Sequence, residues 1–354
     1  MPDTFDLQKI VSPLLDWFPN HARNLPWRQD PTPYRVWVSE IMLQQTRVEA
    51  VKPYFHRFME ELPDIKALAE CPEEKLLKLW EGLGYYNRVR NLQTAAQTVV
   101  AEYQGELPAD YEKLLKLKGI GHYTAGAIAS IAFGIPVPAV DGNVLRVISR
   151  VTADASDIMK PSVRTAMEKR LLDIMPKEAA GTFNQALMEL GATVCVPNGA
   201  PFCEQCPWQA ICQAKRRGLI ETLPVKSKAK ARRIELRTVF VIKAEEKTLL
   251  HKRMDEGLLA GLYELPNTQG HLSEDEAIAY IKEMGLLPLR IRKLQNAKHI
   301  FSHIEWHMIG YAISIDETET GYEDMLFVDA AETRERYPIP AAFSRYASYI
   351  GRVL

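Results

Sequence analysis

Two sets of side chains stand where they could do chemistry: a knot of cysteines and a pair of carboxylates. Cys195, Cys203, Cys206 and Cys212 read C-x7-C-x2-C-x5-C within eighteen residues, and they are four of the chain's five cysteines. Four thiolates converging on one point make a soft-ligand cage, suited to an iron–sulfur cluster or to tetrahedral zinc. Paired disulfides fit poorly, because bridges need defined separations and an oxidising compartment. Cys71, in Glu70-Cys71-Pro72, stands apart and reads as a lone buried or capping thiol. Glu40 lies within the apolar helical face Trp37-Val38-Ser39-Glu40-Ile41-Met42-Leu43. A carboxyl there is at the mouth of a pocket or ion-paired, and burial would raise its pKa into the range of a general acid. Asp141, in Pro138-Ala139-Val140-Asp141-Gly142-Asn143-Val144, sits between an apolar run and a glycine, where helix capping is the plain reading. One raised carboxylic acid beside one ionised carboxylate is the pairing that breaks bonds to an anomeric carbon.

The elements that must hold these groups are helical from Phe5 to about Leu219. Helices are predicted to start near Val36 and Glu73, to run from Tyr123 to Phe133, and to run from Phe183 to Val194 straight into the cysteines. Gly82, Gly84, Pro108, Gly119, Gly121, Gly134, Pro136 and Pro138 punctuate them, so the first domain is expected to be all-α with many short helices. Leu117-Lys118-Gly119-Ile120-Gly121-His122-Tyr123 is a G-x-G turn between the amphipathic segment Tyr111–Leu117 and the next helix. Such a hairpin turns backbone N–H groups outward at a helix N-terminus, a grip for a DNA phosphate that reads no sequence. An ordinary helix–helix turn is the plainer alternative. A dinucleotide fold would need a strand before the glycines, and none is apparent.

Character changes after Pro224. Thr238–Ile242 is a β-branched run, Thr248–Arg253 its partner across a turn, Ser273–Met284 an amphipathic helix with a serine cap, and Ile300–Ile315 alternates like further strands. This second domain, residues 237–354, reads as α+β. Residues 223–236 form the expected linker between it and the all-α domain, 1–222. Lys226, Lys228, Lys230, Arg232, Arg233 and Arg237 fall within the twelve residues 226–237, opposed by Glu235, a pattern most simply read as a solvated linker. The chain has 354 residues, 44 basic against 45 acidic and 47% apolar, so no global basic field announces nucleic acid. The start, Met1-Pro2-Asp3-Thr4-Phe5-Asp6, is acidic without an apolar core, and no run approaches the roughly 20 apolar residues of a membrane helix. A soluble protein of a reducing cytoplasm is expected.

Hairpin, following aspartate and four cysteines together resemble the helix–hairpin–helix DNA glycosylase superfamily that carries a [4Fe-4S] cluster. More narrowly, Trp37-Val-Ser-Glu-Ile-Met-Leu-Gln-Gln-Thr46, Trp80-Glu-Gly-Leu-Gly-Tyr-Tyr86 and Ala139-Val-Asp-Gly-Asn-Val144 resemble the adenine DNA glycosylase (MutY) family, from about Leu25 to the C-terminus. One departure is visible: that family usually puts six residues between the first two cluster cysteines, and here seven intervene.

The resemblance implies roles. Glu40 would protonate adenine N7, and Asp141 would stabilise the oxocarbenium ion at C1′, flanked by Tyr123 and Asn143. Arg28, Trp27, Leu43 and Val48 would line the pocket for the flipped adenine, and Gln44 and Tyr85 would enter the base stack. Gly119, Gly121 and Lys118 would meet the DNA backbone, and the four cysteines would hold the cluster. Tyr123 stands where related glycosylase/lyases carry a Schiff-base lysine, which implies a monofunctional glycosylase. Gly257-Leu-Leu-Ala-Gly-Leu-Tyr-Glu-Leu-Pro266 resembles a Nudix-like fold, without the glutamate cluster of active Nudix hydrolases downstream. In the resembled family that domain reads 8-oxoguanine, and Phe301-Ser302-His303 matches its reading loop, with Ser302 the hydrogen-bonding residue. The implied function is excision of adenine paired with 8-oxoguanine or guanine in duplex DNA, the first step of base-excision repair. The implied setting is a monomer in the bacterial cytoplasm, associated with the nucleoid through DNA. The competing readings are a glycosylase/lyase for oxidised pyrimidines, a non-catalytic iron–sulfur mismatch binder and a nucleotide pyrophosphohydrolase. Tyr123, the retention of both Glu40 and Asp141, and the missing glutamate cluster argue against them in turn.

Overall fold

The computed structural model describes residues 5–227, 231–254, 256–316 and 324–352. Lys228 and Lys230 of the basic run lie outside them. The chain divides into two compact units: Met1–Glu70 with Arg90–Lys228, and Cys71–Val89 with Ala229–Leu354. The helices are α1 Val11–His21, α2 Pro26–Gln29, α3 Pro33–Leu43, α4 Val48–Glu61, α5 Ile65–Glu70, α6 Glu73–Leu79, α7 Asn87–Glu102, α8 Tyr111–Leu115, α9 His122–Phe133, α10 Gly142–Thr152, α11 Pro161–Asp173, α12 Ala180–Thr193, α13 Gln213–Arg217, α14 Glu274–Glu283, α15 Ala330–Glu335 and α16 Ser344–Ala347. The strands are β1 Arg233–Ala244, β2 Lys247–Lys252, β3 Tyr263–Glu264, β4 Asn267–Gln269, β5 Pro288–Ile300, β6 Ile304–Ile315 and β7 Met325–Val328.

In the first unit the helix ends follow local chemistry. Thr32 caps α3 by accepting from the Arg35 N–H at 3.3 Å, and Pro33 occupies its first turn. α9 ends at Gly134 in the left-handed conformation, φ 68°. α1, α10, α11 and α12 share one apolar core with Val140, Val194 and Trp208. Trp208 also donates its indole N–H to the Ile10 carbonyl at 3.0 Å, tying the cysteine loop to the N-terminal end of that core. Gly126 of α9 lets the Pro138 carbonyl pass where a Cβ would lie 2.2 Å from it. The segment leading into Asp141 can therefore lie directly on α9.

The second unit is a mixed sheet, β3-β2-β1-β6-β5, with β4 on β1 and β7 on β2. β1 and β6 run parallel over their whole length, and the other pairs are antiparallel. Val239 and Val241 point to one face with Trp306 and Met308, while Phe240 and Ile242 point to the other with Ala277 and Ile281 of α14. This is the alternation of a strand buried on both sides. Ser273 closes a reciprocal capping box with Glu276 at the start of α14.

The domain limits differ from those expected in two places. β1 begins at Arg233, inside the expected linker, because its first residues already pair with β6 from Ile304 onward. The segment Cys71–Val89, expected within the all-α domain, groups with the sheet. Lys78 Nζ donates to the carbonyls of Thr333 and Tyr337 at 3.0 and 3.4 Å, and the Ile339 N–H donates to Glu81 Oε1 at 2.7 Å. Cys71 is a buried thiol against the Pro72 carbonyl.

Candidate active site

Glu40 sits in the last turns of α3 and is 6% exposed. Burial among apolar neighbours is the main force on its carboxyl. A hydrogen bond from Tyr123 opposes it, Asp141 adds to it, Arg28 opposes it, and the net effect pushes the pKa up to about 7. The Tyr123 hydroxyl, from the first turn of α9, donates to Glu40 Oε2 and lies 3.3 Å from Met188 Sδ. Tyr123 is held well above the ordinary tyrosine range by burial and by the two carboxyls, so it is a neutral donor.

Asp141 is both helix cap and second carboxylate. Its Oδ1 accepts from the Val144 N–H at 2.7 Å at the start of α10, and its Oδ2 accepts from Asn143 Nδ2 at 2.7 Å. Burial pushes its pKa up, against donors that hold the ionised form: the Val144 and Asn143 N–H groups and the Asn143 side chain. Glu40 and Tyr123 form one hydrogen-bonded pair and Asp141 and Asn143 another, and the Asp141 charge is felt at both Glu40 and Tyr123, so the four groups share one buried site. Such an arrangement can give a proton to a leaving group while the second carboxylate stabilises positive charge.

Leu43 lies one helical turn after Glu40, Gln44 follows at the end of α3, and Val48 opens α4; all three are half-buried. Trp27 is buried edge-on to Phe55, ring centroids 5.5 Å apart. Arg28 lies over the Phe18 ring and donates to Glu189 Oε2 at 2.8 Å.

At the hairpin, Gly119 has φ 78° and a Cβ there would lie 2.8 Å from Asn91 Cβ, so glycine is required twice over. Gly121 caps α9 with open space around it. The first N–H groups of α9 have no carbonyl behind them within the helix. Lys118 is exposed beside them.

In the second unit Phe301, Ser302 and His303 form the turn between β5 and β6, closed by the Phe301 N–H on the Ile304 carbonyl at 2.8 Å. Ser302 Oγ donates to the Tyr85 hydroxyl at 3.4 Å, and Tyr85 has a positive φ of 50° and is 47% exposed.

The four cysteines lie between the end of α12 and the start of α13. Among the described residues no three His, Cys, Asp or Glu side chains are grouped so as to hold a metal ion. All four thiols are free and half-buried. Cys206 is pushed up to about 12, by burial first and then by Cys195, Cys212 and Cys203, which places the four within electrostatic reach of one another. Cys212 Sγ donates to the Arg150 carbonyl at 3.6 Å, and Arg150 Nη1 donates to Cys195 Sγ at 3.3 Å.

Residues 38–172 match the HhH-GPD superfamily of base excision DNA repair proteins, and residues 238–349 match a NUDIX domain. An adenine DNA glycosylase of Mus musculus is 36% identical over 373 residues, covering 89% of this chain and 72% of that protein. The chain belongs to the adenine DNA glycosylases. It is therefore a base-excision repair enzyme that hydrolyses N-glycosyl bonds. An adenine DNA glycosylase of Buchnera aphidicola subsp. Schizaphis graminum is 32% identical over 304 residues, 85% of this glycosylase and 86% of that one. Among solved structures, a non-covalent endonuclease III–DNA complex aligns with TM-score 0.52 and 26% identity, over 62% of this chain and 99% of that one. Among the described residues of the glycosylase, no helix is long and apolar enough to cross a membrane.

Three groups in this glycosylase escape sequence reasoning. Asn184, fully buried on α12, accepts from the Ala139 N–H at 3.0 Å and donates to Ser130 Oγ and the Val137 carbonyl, so it fixes the run into Asp141. Glu189, also fully buried, accepts from Arg23 Nε at 2.7 Å and from Arg28; despite burial, these guanidiniums hold its carboxyl below the usual range. Arg146 and Arg150, buried and one turn apart on α10, reach the cysteine loop. Arg146 Nη2 donates to Asn143 Oδ1 at 2.8 Å and to the Gly191 carbonyl, and its Nε donates to the Cys195 carbonyl at 2.8 Å. A faint signal existed for this pair: an i, i+4 arginine pair on an otherwise apolar helix.

Proposed function

We propose that this glycosylase removes adenine paired with 8-oxoguanine or guanine in duplex DNA, with Glu40 as the acid and Asp141 as the charge-stabilising carboxylate. The observation that carries the reading is the buried Glu40 carboxyl, raised to about 7, bonded by Tyr123 and within electrostatic reach of Asp141. The flipped adenine would take the Glu40 proton at N7, with Tyr123 occupying Oε2 so that Oε1 presents the transferable proton. The C1′–N9 bond then breaks with its electron pair leaving on adenine, and the cationic sugar forms beside Asp141. Water adds at C1′ and gives its proton to the Glu40 carboxylate, which restores the acid. Arg28, Trp27, Leu43 and Val48 would line the adenine pocket, and Gln44 and Tyr85 would fill the emptied stack. Gly119, Gly121 and Lys118 would hold the backbone, so binding should fall steeply with salt. A monomer in a reducing bacterial cytoplasm, held at the nucleoid through DNA, goes with this reading.

The test is single-turnover incubation with a duplex carrying one 8-oxoguanine:adenine pair, analysed with and without alkali. Strand cleavage only after alkali is expected, because Tyr123 offers no amine for Schiff-base chemistry. Cleavage without alkali would mean an amine elsewhere attacks C1′.

Lesion reading is assigned to Phe301, Ser302 and His303. Ser302→Ala is expected to lower the preference for 8-oxoguanine over guanine about fivefold, the order of one hydrogen bond, with little change in the excision step. An unchanged ratio of single-turnover rates on the two duplexes would move the reading elsewhere.

Cys195, Cys203, Cys206 and Cys212 would hold a [4Fe-4S] cluster, a reading supported by their four soft donors within mutual electrostatic reach. The cluster would supply a structural brace for the loop that Arg146 and Arg150 contact. Iron and acid-labile sulfide assays on purified protein are expected to return about four of each per chain. Stoichiometric zinc without iron would overturn the assignment.

A further inference from the structure

The residues just before and within the start of β1 hold the Phe301–His303 turn from both sides. Arg232 Nε donates to the Phe301 carbonyl at 3.1 Å, and the Arg233 main-chain N–H donates to the His303 carbonyl at 3.1 Å. These two carbonyls flank Ser302. The Phe301 ring is fixed as well, edge-on to His299 at 4.6 Å and to Trp306 at 4.9 Å. Trp306 is itself gripped from β1: its indole N–H donates to Glu235 Oε2 at 3.0 Å and the Arg237 guanidinium lies 4.3 Å over its ring. The turn is thus restrained at its main chain and at Phe301, while Ser302 and His303 remain exposed.

We propose that Arg232 is a positioning residue for lesion reading: its guanidinium fixes the Phe301 carbonyl and thereby the direction in which Ser302 presents its hydroxyl. The inference rests on the assignment of reading to Ser302. Arginine suits the task because its Nε–H is a directional donor, and a charge-assisted bond to a carbonyl is stronger than a neutral one. A basic residue serving only as a phosphate contact would weaken binding to every duplex alike. A residue that orients the reader changes the ratio between lesion and undamaged base.

The experiment uses the full chain as parent, Arg232→Ala, Ser302→Ala and the double variant. Single-turnover rates are measured with enzyme in excess over duplex but below saturation, on 8-oxoguanine:adenine and guanine:adenine duplexes, with amide hydrogen exchange at residues 301–303. Arg232→Ala is expected to lower the 8-oxoguanine preference roughly fivefold, the net worth of one hydrogen bond, and to speed exchange at Ser302 and His303 without moving the melting temperature. In the Ser302→Ala background it should add no further loss. An equal fall on both duplexes would make Arg232 a general DNA contact and overturn the proposal. Unchanged exchange in the turn would remove the positioning itself. An unchanged preference in Ser302→Ala alone would remove the Ser302 assignment and the functional half of this proposal, a result separate from the exchange measurement.

Discussion

Glu40→Gln is expected to bind an 8-oxoguanine:adenine duplex as the parent does and to release adenine roughly a hundred to ten thousand times more slowly, the usual worth of a general acid. Glutamine keeps the shape and can still accept from Tyr123, so the loss isolates the proton. The pH dependence carries the same signature. The active form is the protonated carboxyl, raised to about 7, so single-turnover excision should be level below that pH. It should fall about tenfold for each pH unit above it. The variant should lose this limb. Stability also falls as pH rises, over a lower range. The folded-state pKa lies above the unfolded value of 4.5, so the folded protein binds the proton more tightly than the unfolded chain. Stability is therefore lost as pH rises from about 4.5 through about 7, by about 3 kcal/mol when complete. Glu40→Gln should melt higher than the parent at pH 8 and much like it at pH 4. Excision within tenfold of the parent, with the high-pH limb intact, would remove Glu40 from the acid role.

Asp141→Asn should also cost roughly a hundred- to ten-thousand-fold in excision, through loss of a negative charge beside the cationic sugar. Asparagine can still cap α10 through its Oδ1, as Asp141 does toward the Val144 N–H, so the fold is expected to survive. The amide nitrogen would meet Asn143 Nδ2, which now donates to Oδ2. To avoid two facing donors Asn143 must turn, and it then loses its acceptor contact with Arg146. What distinguishes the two carboxylates is the pH profile: Asp141→Asn should keep the fall above about 7, because Glu40 is untouched. Loss of that limb in Asp141→Asn instead would exchange the two roles.

Much of the site is legible locally because its groups are also structural. Asp141 between an apolar run and a glycine reads as a cap, and it is one; the catalytic proposal uses the oxygen that capping leaves over. Gly119 is legible because a left-handed turn tolerates little else. Glu40 is harder. Glu189, in Leu187-Met188-Glu189-Leu190, has the same apolar setting, yet Arg23 and Arg28 hold it below the usual range while Glu40 is pushed up. The difference is made by guanidiniums more than 160 residues away in sequence, and no window around either glutamate contains it. β5 is missed for another reason. It is the edge strand, exposed along most of its length and rich in Arg290, Arg292, Lys293 and Lys298, so it lacks the apolar alternation that reveals β1.

The stretch Cys71–Val89 is interleaved: it is written into the sequence among the helices of the first unit but folds as part of the second. Truncating the chain after Lys228 is therefore not a cut at a joint. It would take away the carbonyls that receive Lys78, the Ile339 N–H that Glu81 accepts, and the Ser302 hydroxyl beside Tyr85. A shortened enzyme with poor lesion preference would have lost two things at once, the reading turn and the footing of the aromatic that faces it. By the same token a C-terminal unit borrowed from a relative would be an incomplete graft unless this nineteen-residue stretch travelled with it. The two pieces of sequence form one structural part.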